Sequence, residues 1–162
     1  MTKIKPNIQP FSHIALAMQM ARDNENLTFT PYHDTVGKLT IGYGRNLEDK
    51  GISHSESELL LANDVTVSHA LLLAEFGFYK SLSEVRQAVM MDMLHNMGMG
   101  GLKQFKKMIR ALMIGDWDEA AAQMKDSQYW DQVGVRAKRN WMMVRFDKYY
   151  SKAEAESYFK NQ

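Results

Sequence analysis

Apolar positions follow a helical spacing through most of this chain and break from it in one short stretch near the N-terminus. Residues 1–10, with Pro6 and Pro10, read as an irregular leader. A helix follows, capped by Ser12 and running to about Asn24. From Thr28 to Leu47 the residues turn β-branched and aromatic, punctuated by Asp34, Gly37, Gly42 and Gly44. This predicts two or three short strands around a turn at Asp34–Gly37. Gly51 closes that segment. Ser53 and Glu56 then have the Ser-x-x-Glu spacing of a capping box, and Leu59, Leu60, Val65, Ala70 and Leu73 carry the helix it opens to about Phe76. After a turn at Gly77 the pattern is helical throughout, with starts at Ser81 or Ser83 and at Asp116, and breaks at Gly98, Gly100–Gly101, Gly115 and Gly134.

Strands confined to one stretch among helices predict an α+β, mostly helical fold. The expected order is a leader (1–10), a small N-terminal lobe with a short β-sheet (11–52), a long interlobe helix (53–76) and a larger all-helical C-terminal lobe (77–162), with a ligand groove between lobes.

The 162 residues are 45% apolar and 24% charged, the make-up of a single globular domain. Cysteine is absent, which excludes disulfides, thiolate metal sites and cysteine nucleophiles. The 13 methionines sit mostly among apolar neighbours and read as adaptable core filling. Residues 1–80 hold 7 basic and 9 acidic side chains and residues 81–162 hold 13 and 10. That imbalance is too mild for a nucleic-acid binder, though it suits loose attraction to an anionic polymer. No run approaches the length of a membrane span, and Phe11 to Ala21 is interrupted by Ser12, His13 and Gln19, so neither a membrane helix nor a secretory signal is expected. No cofactor is implied, and no His/Asp/Glu cluster suggests a metal.

The candidate chemistry lies at Glu25, Asp34 and Thr40. Glycosidic hydrolysis needs one carboxyl kept protonated to donate to the leaving oxygen and a second kept ionised to hold a water or stabilise the transition state. A threonine hydroxyl could help fix that water. Glu25 falls at a helix C-terminus, where the dipole disfavours negative charge. Each residue also has a plain structural reading: Asp34 as a turn residue bonding its own backbone, Thr40 as a strand former, Glu25 as a solvated surface glutamate.

The segment from Glu25 to Leu47, with Tyr32-x-Asp34 and Thr40-Ile41-Gly42-x-Gly44, resembles the catalytic segment of the T-even phage lysozymes, glycoside hydrolase family 24. The likeness continues in order: Ser53 to Val65 resembles the interlobe helix, Val85 to Phe105 with Asn96-Met97-Gly98 the central helix, and Trp117 to Ala121 and Arg136 to Arg139 match later segments. The resemblance implies a lysozyme-like fold and a metal-free, monomeric endolysin that cleaves the β-1,4 bond between N-acetylmuramic acid and N-acetylglucosamine in bacterial peptidoglycan. Such an enzyme waits in the host cytoplasm, depends on a holin for release to the wall, and lyses the cell. Glu25 would be its general acid, Asp34 the second carboxylate that steers water, and Thr40 the hydroxyl that helps place it. Arg136 would support Glu25 from the helical lobe. Gly44, Asn46, His95, Asn96 and Gln123 match groove positions for substrate, although Gln123 reads equally as an exposed helical residue and His95 as one satisfied in a helix interface.

Four departures stand out. Asn26 replaces a usual glycine, Gln128 replaces a groove-lining base and Tyr129-Trp130 inverts the aromatic order. At position 45 arginine replaces a histidine that pairs with an aspartate, which predicts an Arg45 to Asp64 ion pair across the hinge. The rival readings are a lytic transglycosylase, against which Asp34 and Thr40 argue, and a non-catalytic wall-binding module that kept the fold alone.

Overall fold

The computed structural model describes residues 13–161, so the expected leader and the Ser12 cap lie outside the described residues. The chain divides into two compact units, one ending at Glu58 and the other beginning at Leu59.

In the first unit, α1 (His13–Asn24) precedes three antiparallel strands in the order β1 (Thr28–His33), β2 (Leu39–Gly42) and β3 (Arg45–Asn46). Thr40 faces Tyr32 on one side and Asn46 on the other, so it sits at the centre of the middle strand. It is the one buried residue among those described in this unit, at 2% exposure. The turn between β1 and β2 falls where the glycine and aspartate predict it. Asp34 N–H donates to the Lys38 carbonyl (2.9 Å) and Gly37 N–H to the Asp34 carbonyl (3.0 Å), with Gly37 at a φ of +84° that side chains rarely adopt. A short helix, α2 (Leu47–Lys50), was not expected. Asn46 caps it and Gly51, at φ +57°, ends it.

The capping box opens α3 (His54–Glu75) as predicted: Ser53 N–H donates to Glu56 Oε2 (2.7 Å) and Glu56 N–H donates back to Ser53 Oγ (3.3 Å). The division between the units falls inside this helix, after its first turn.

The second unit holds α4 (Glu84–Leu102), α5 (Lys106–Ile114), α6 (Trp117–Lys125), α7 (Gln128–Val133), α8 (Val135–Phe146) and α9 (Lys152–Lys160). Ser83 is the N-cap of α4 and Asp116 that of α6, each accepting from a backbone N–H three residues on. Gly115 ends α5 in the left-handed conformation, as expected. The break expected at Gly98 is instead a kink within α4, at φ +68° and ψ 172°, after which Gly100 and Gly101 remain helical. Gly101 is needed there because a Cβ would meet the Met97 side chain at 2.9 Å.

The core belongs to this unit. Met90, Met93, Met108 and Met124 are at most 1% exposed and fill the core as expected, whereas Met18, Met20 and Met113 are at least half exposed. Arg86 is buried with its guanidinium 3.8 Å from the centre of the Trp117 ring, donates from Nε to the Val144 carbonyl (2.9 Å) and pairs with Asp147 (2.9 Å). One cation thereby ties α4 to α6 and to the end of α8. The observed elements make an α+β, mostly helical fold. No described helix is long and apolar enough to cross a membrane.

Candidate functional site

Glu25 directly follows the last residue of α1, its N–H donating back to the Ala21 carbonyl (2.9 Å). Its carboxyl group lies against Gly44, in the turn between β2 and β3. A methyl group on Gly44 would stand 3.0 Å from the carboxyl carbon and 3.1 and 3.2 Å from the two oxygens. Gly44 also holds φ +70°. Position 44 therefore needs glycine twice over, for its backbone angle and for the approach of Glu25. Among the described residues nothing hydrogen-bonds or pairs with that carboxylate, and Glu25 is exposed.

Asp34 and Thr40 are both fixed by one residue, Lys38. Asp34 Oδ1 accepts from the N–H groups of Lys38 (2.8 Å) and Val36 (3.0 Å). Oδ2 of the same carboxylate has no partner among the described residues. Thr40 Oγ1 donates to the Lys38 carbonyl (3.1 Å) from its buried place in β2. The Lys38 ammonium pairs with Asp49 (3.2 Å) and Glu48 (3.4 Å), and Glu48 also accepts from the N–H of Leu39 (3.0 Å). Hydrogen bonds to Asp49 and Glu48 raise the Lys38 ammonium above its ordinary value, while the Leu39 N–H and then Lys38 hold the Glu48 carboxyl below its own. The turn that carries Asp34 is thus anchored to α2.

The Asn46 amide caps α2, Oδ1 accepting from Asp49 N–H (2.9 Å) and Nδ2 donating to Asp49 Oδ2 (2.8 Å). One expectation for this unit changes. The ion pair of Arg45 is with Glu56 (2.6 Å) rather than with Asp64, and Arg45 Nε donates to the Gly51 carbonyl (2.8 Å). Glu56, already turned back to cap α3 on Ser53, is the carboxylate that the loop after Gly51 brings to Arg45.

In the second unit a groove of about 700 Å³ is rimmed by five side-chain amides: Asn96, Gln104, Gln123, Gln128 and Gln132. Lys106, Lys107, Asp126, Phe105 and Tyr129 also line it. Two of the expected substrate residues, Asn96 and Gln123, meet here. Gln123 Nε2 donates to Glu119 (2.8 Å), which leaves its carbonyl free as an acceptor. His95 is exposed on α4 and does not line the groove, nor is it held in a helix interface. Gln104 and Gln132 escape a sequence reading because they sit at helix ends with no pattern of their own.

Arg136, expected to support Glu25, is held by Asp92 of α4. Its Nε donates to Asp92 Oδ2 (2.9 Å), and its Nη2 donates to Oδ1 and to the backbone carbonyl of Asp92 (3.0 Å each). Burial pushes the Asp92 carboxyl up, but hydrogen bonds from Arg136 and Asn140 and the charges of Arg136 and Arg139 outweigh it, so the net shift is below the ordinary range. Among the described residues no cluster of three or more histidine or acidic side chains is placed to hold a metal.

The profile of the phage lysozyme family matches residues 22–141, which include Glu25, Asp34, Thr40 and the amide groove. The chain is 26% identical to the pre-baseplate central spike protein Gp5 of Enterobacteria phage T4 across 88% of its own length, and it spans only 31% of that protein. It is 27% identical to the probable T4-type lysozyme 1 of Dictyostelium discoideum, covering 74% of this chain and 88% of the relative. A second such lysozyme from the same organism is 26% identical over the same shares.

Proposed function

The chain belongs to the phage lysozyme family, whose activity is lysozyme-type hydrolysis of peptidoglycan, and from that premise we propose that it is an N-acetylmuramidase. It cuts the β-1,4 bond between N-acetylmuramic acid and N-acetylglucosamine. The observation that supports this reading is the Glu25 carboxylate, seated on Gly44 and engaged by no hydrogen bond among the described residues, in the same compact unit as an aspartate with one oxygen unpartnered among them.

Glu25, in its neutral form, donates a proton to the leaving glycosidic oxygen. Asp34 is turned into a one-sided base: two backbone N–H groups hold Oδ1, and Oδ2 is left to orient the attacking water. Thr40 acts on that water through Lys38, since its hydroxyl proton already goes to the Lys38 carbonyl, and its bond keeps the Asp34 turn in register. The amides of Asn96 and Gln123 suit acetamido groups, each offering a donor and an acceptor to a group that presents both. The enzyme works as a monomer without cofactor, accumulates in the host cytoplasm, reaches the wall with the help of a holin, and lyses the cell.

Digestion of purified sacculi by the wild type and by Glu25→Gln tests this. The wild type should release fragments with new reducing ends, and Glu25→Gln should lose about 10²- to 10⁴-fold in rate, the contribution of a positioned acid. Products carrying 1,6-anhydro ends would replace hydrolysis by transglycosylation. Undiminished activity in Glu25→Gln would end the acid assignment, and no digestion by either form would leave a wall-binding module.

A further inference from the structure

α4 carries one acidic side chain within its apolar run, Asp92 between Met91 and Met93, and groups from α8 converge on it. Besides Arg136, the carboxylate accepts from Arg139 Nη2 (3.3 Å) and from Asn140 Nδ2 (2.7 Å). Asn140 is 1% exposed and passes the contact on. The same Nδ2 donates to the Tyr129 hydroxyl oxygen (2.9 Å). The Tyr129 ring stands edge-on to Phe105, with centroids 5.9 Å apart at 89°, and both rings line the amide groove. One continuous path therefore runs from a carboxylate on α4, through α8, to a wall of the groove formed by α7 and the residue before α5.

This path is not incidental packing. Among the described residues it leaves Arg139 Nε and Asn140 Oδ1 buried without partners, a cost that an apolar cluster of the same volume would not carry. A polar network kept at that cost fixes one arrangement of the groups it joins.

We propose that Asp92 is a positioning residue for the groove: through Asn140 it holds Tyr129, and with it Phe105, in the shape that takes the substrate. The proposal rests on the groove being part of the peptidoglycan site described above. Asp92 touches no substrate. It sets the angle of a wall that does.

The experiment measures kcat and KM of the whole chain on soluble peptidoglycan fragments for Asp92→Asn, Tyr129→Phe and the double variant. Asp92→Asn keeps the shape and removes the charge; Tyr129→Phe keeps the ring and removes only the hydroxyl. Each should raise KM about fivefold, the size of one net hydrogen bond, with kcat unchanged. The double variant should be no worse than either single, because both cut one path. In parallel, the Tyr129 ring resonance in ¹³C-tyrosine-labelled protein without substrate should move in Asp92→Asn. A Tyr129 signal that stays still overturns the proposal, as do multiplying KM effects or an unchanged KM accompanied by lower thermal stability. Tyr129→Phe leaves Asp92 and both arginines in place, so its KM decides the matter even if Asp92→Asn folds poorly. A wild type that neither cleaves nor binds the fragments refutes the functional reading and this proposal together; a wild type that cleaves them while the variants keep its KM refutes this proposal alone.

Discussion

Gly44 shows how much one missing Cβ can decide. Its backbone angle lies where an L side chain costs about 1–2 kcal/mol, and the space a methyl group would fill belongs to the Glu25 carboxyl group. Gly44→Ala should therefore lower stability by roughly that amount, read from the urea midpoint, and reduce wall clearing by more than the stability loss explains, because the carboxylate is displaced as well. A variant as active as the parent would show that the seat on Gly44 does not matter to Glu25. Asp34 and Thr40 carry the same lesson in reverse. The sequence allows each a structural reading or a chemical one, and the structure gives each a definite backbone partner on Lys38. The turn and strand readings of these two positions hold, and the chemical ones rest on what the turn leaves free.

Among the elements, side chains that act on their own backbone were the readable ones. Ser53 with Glu56, Ser83 and Asp116 all cap helices where their spacing says they should, because a cap spans only three residues. The kink at Gly98 and the short α2 were not readable, since a glycine marks a change of direction without saying whether the helix resumes. The Asp92 network joins α4 to α8 and has a consequence for pH. Asp92 titrates below its ordinary range in the folded chain, so its stabilising contribution is complete above the unfolded carboxyl value of about 3.9 and is lost as pH falls through the lower folded value. The urea midpoint of the wild type should accordingly drop more steeply over that acid range than the midpoint of Asp92→Asn. Parallel curves would mean that the charge adds nothing to the fold.

At the scale of the whole molecule the two compact units differ in what holds them. The second contains the buried methionine and aromatic core, whereas the described part of the first buries Thr40 alone. Amide hydrogen exchange should therefore be slowest at Leu72, Met90, Met93 and Leu102, with β1 and β2 opening at much lower free energy; equal protection in both units would contradict this. The sequence by itself determined the class of fold, most helix starts, the turn at Asp34–Gly37, and the family through an ordered series of matched segments. All of these depend on residues near one another in the chain. Only the tertiary structure decided that Glu25 rests on Gly44, that Arg45 pairs with Glu56 and Arg136 with Asp92, and that Gln104 and Gln132 join Asn96 and Gln123 around one groove. A charged or amide side chain has several chemically equivalent partners at similar distances along the chain, and packing the helices and the sheet selects among them.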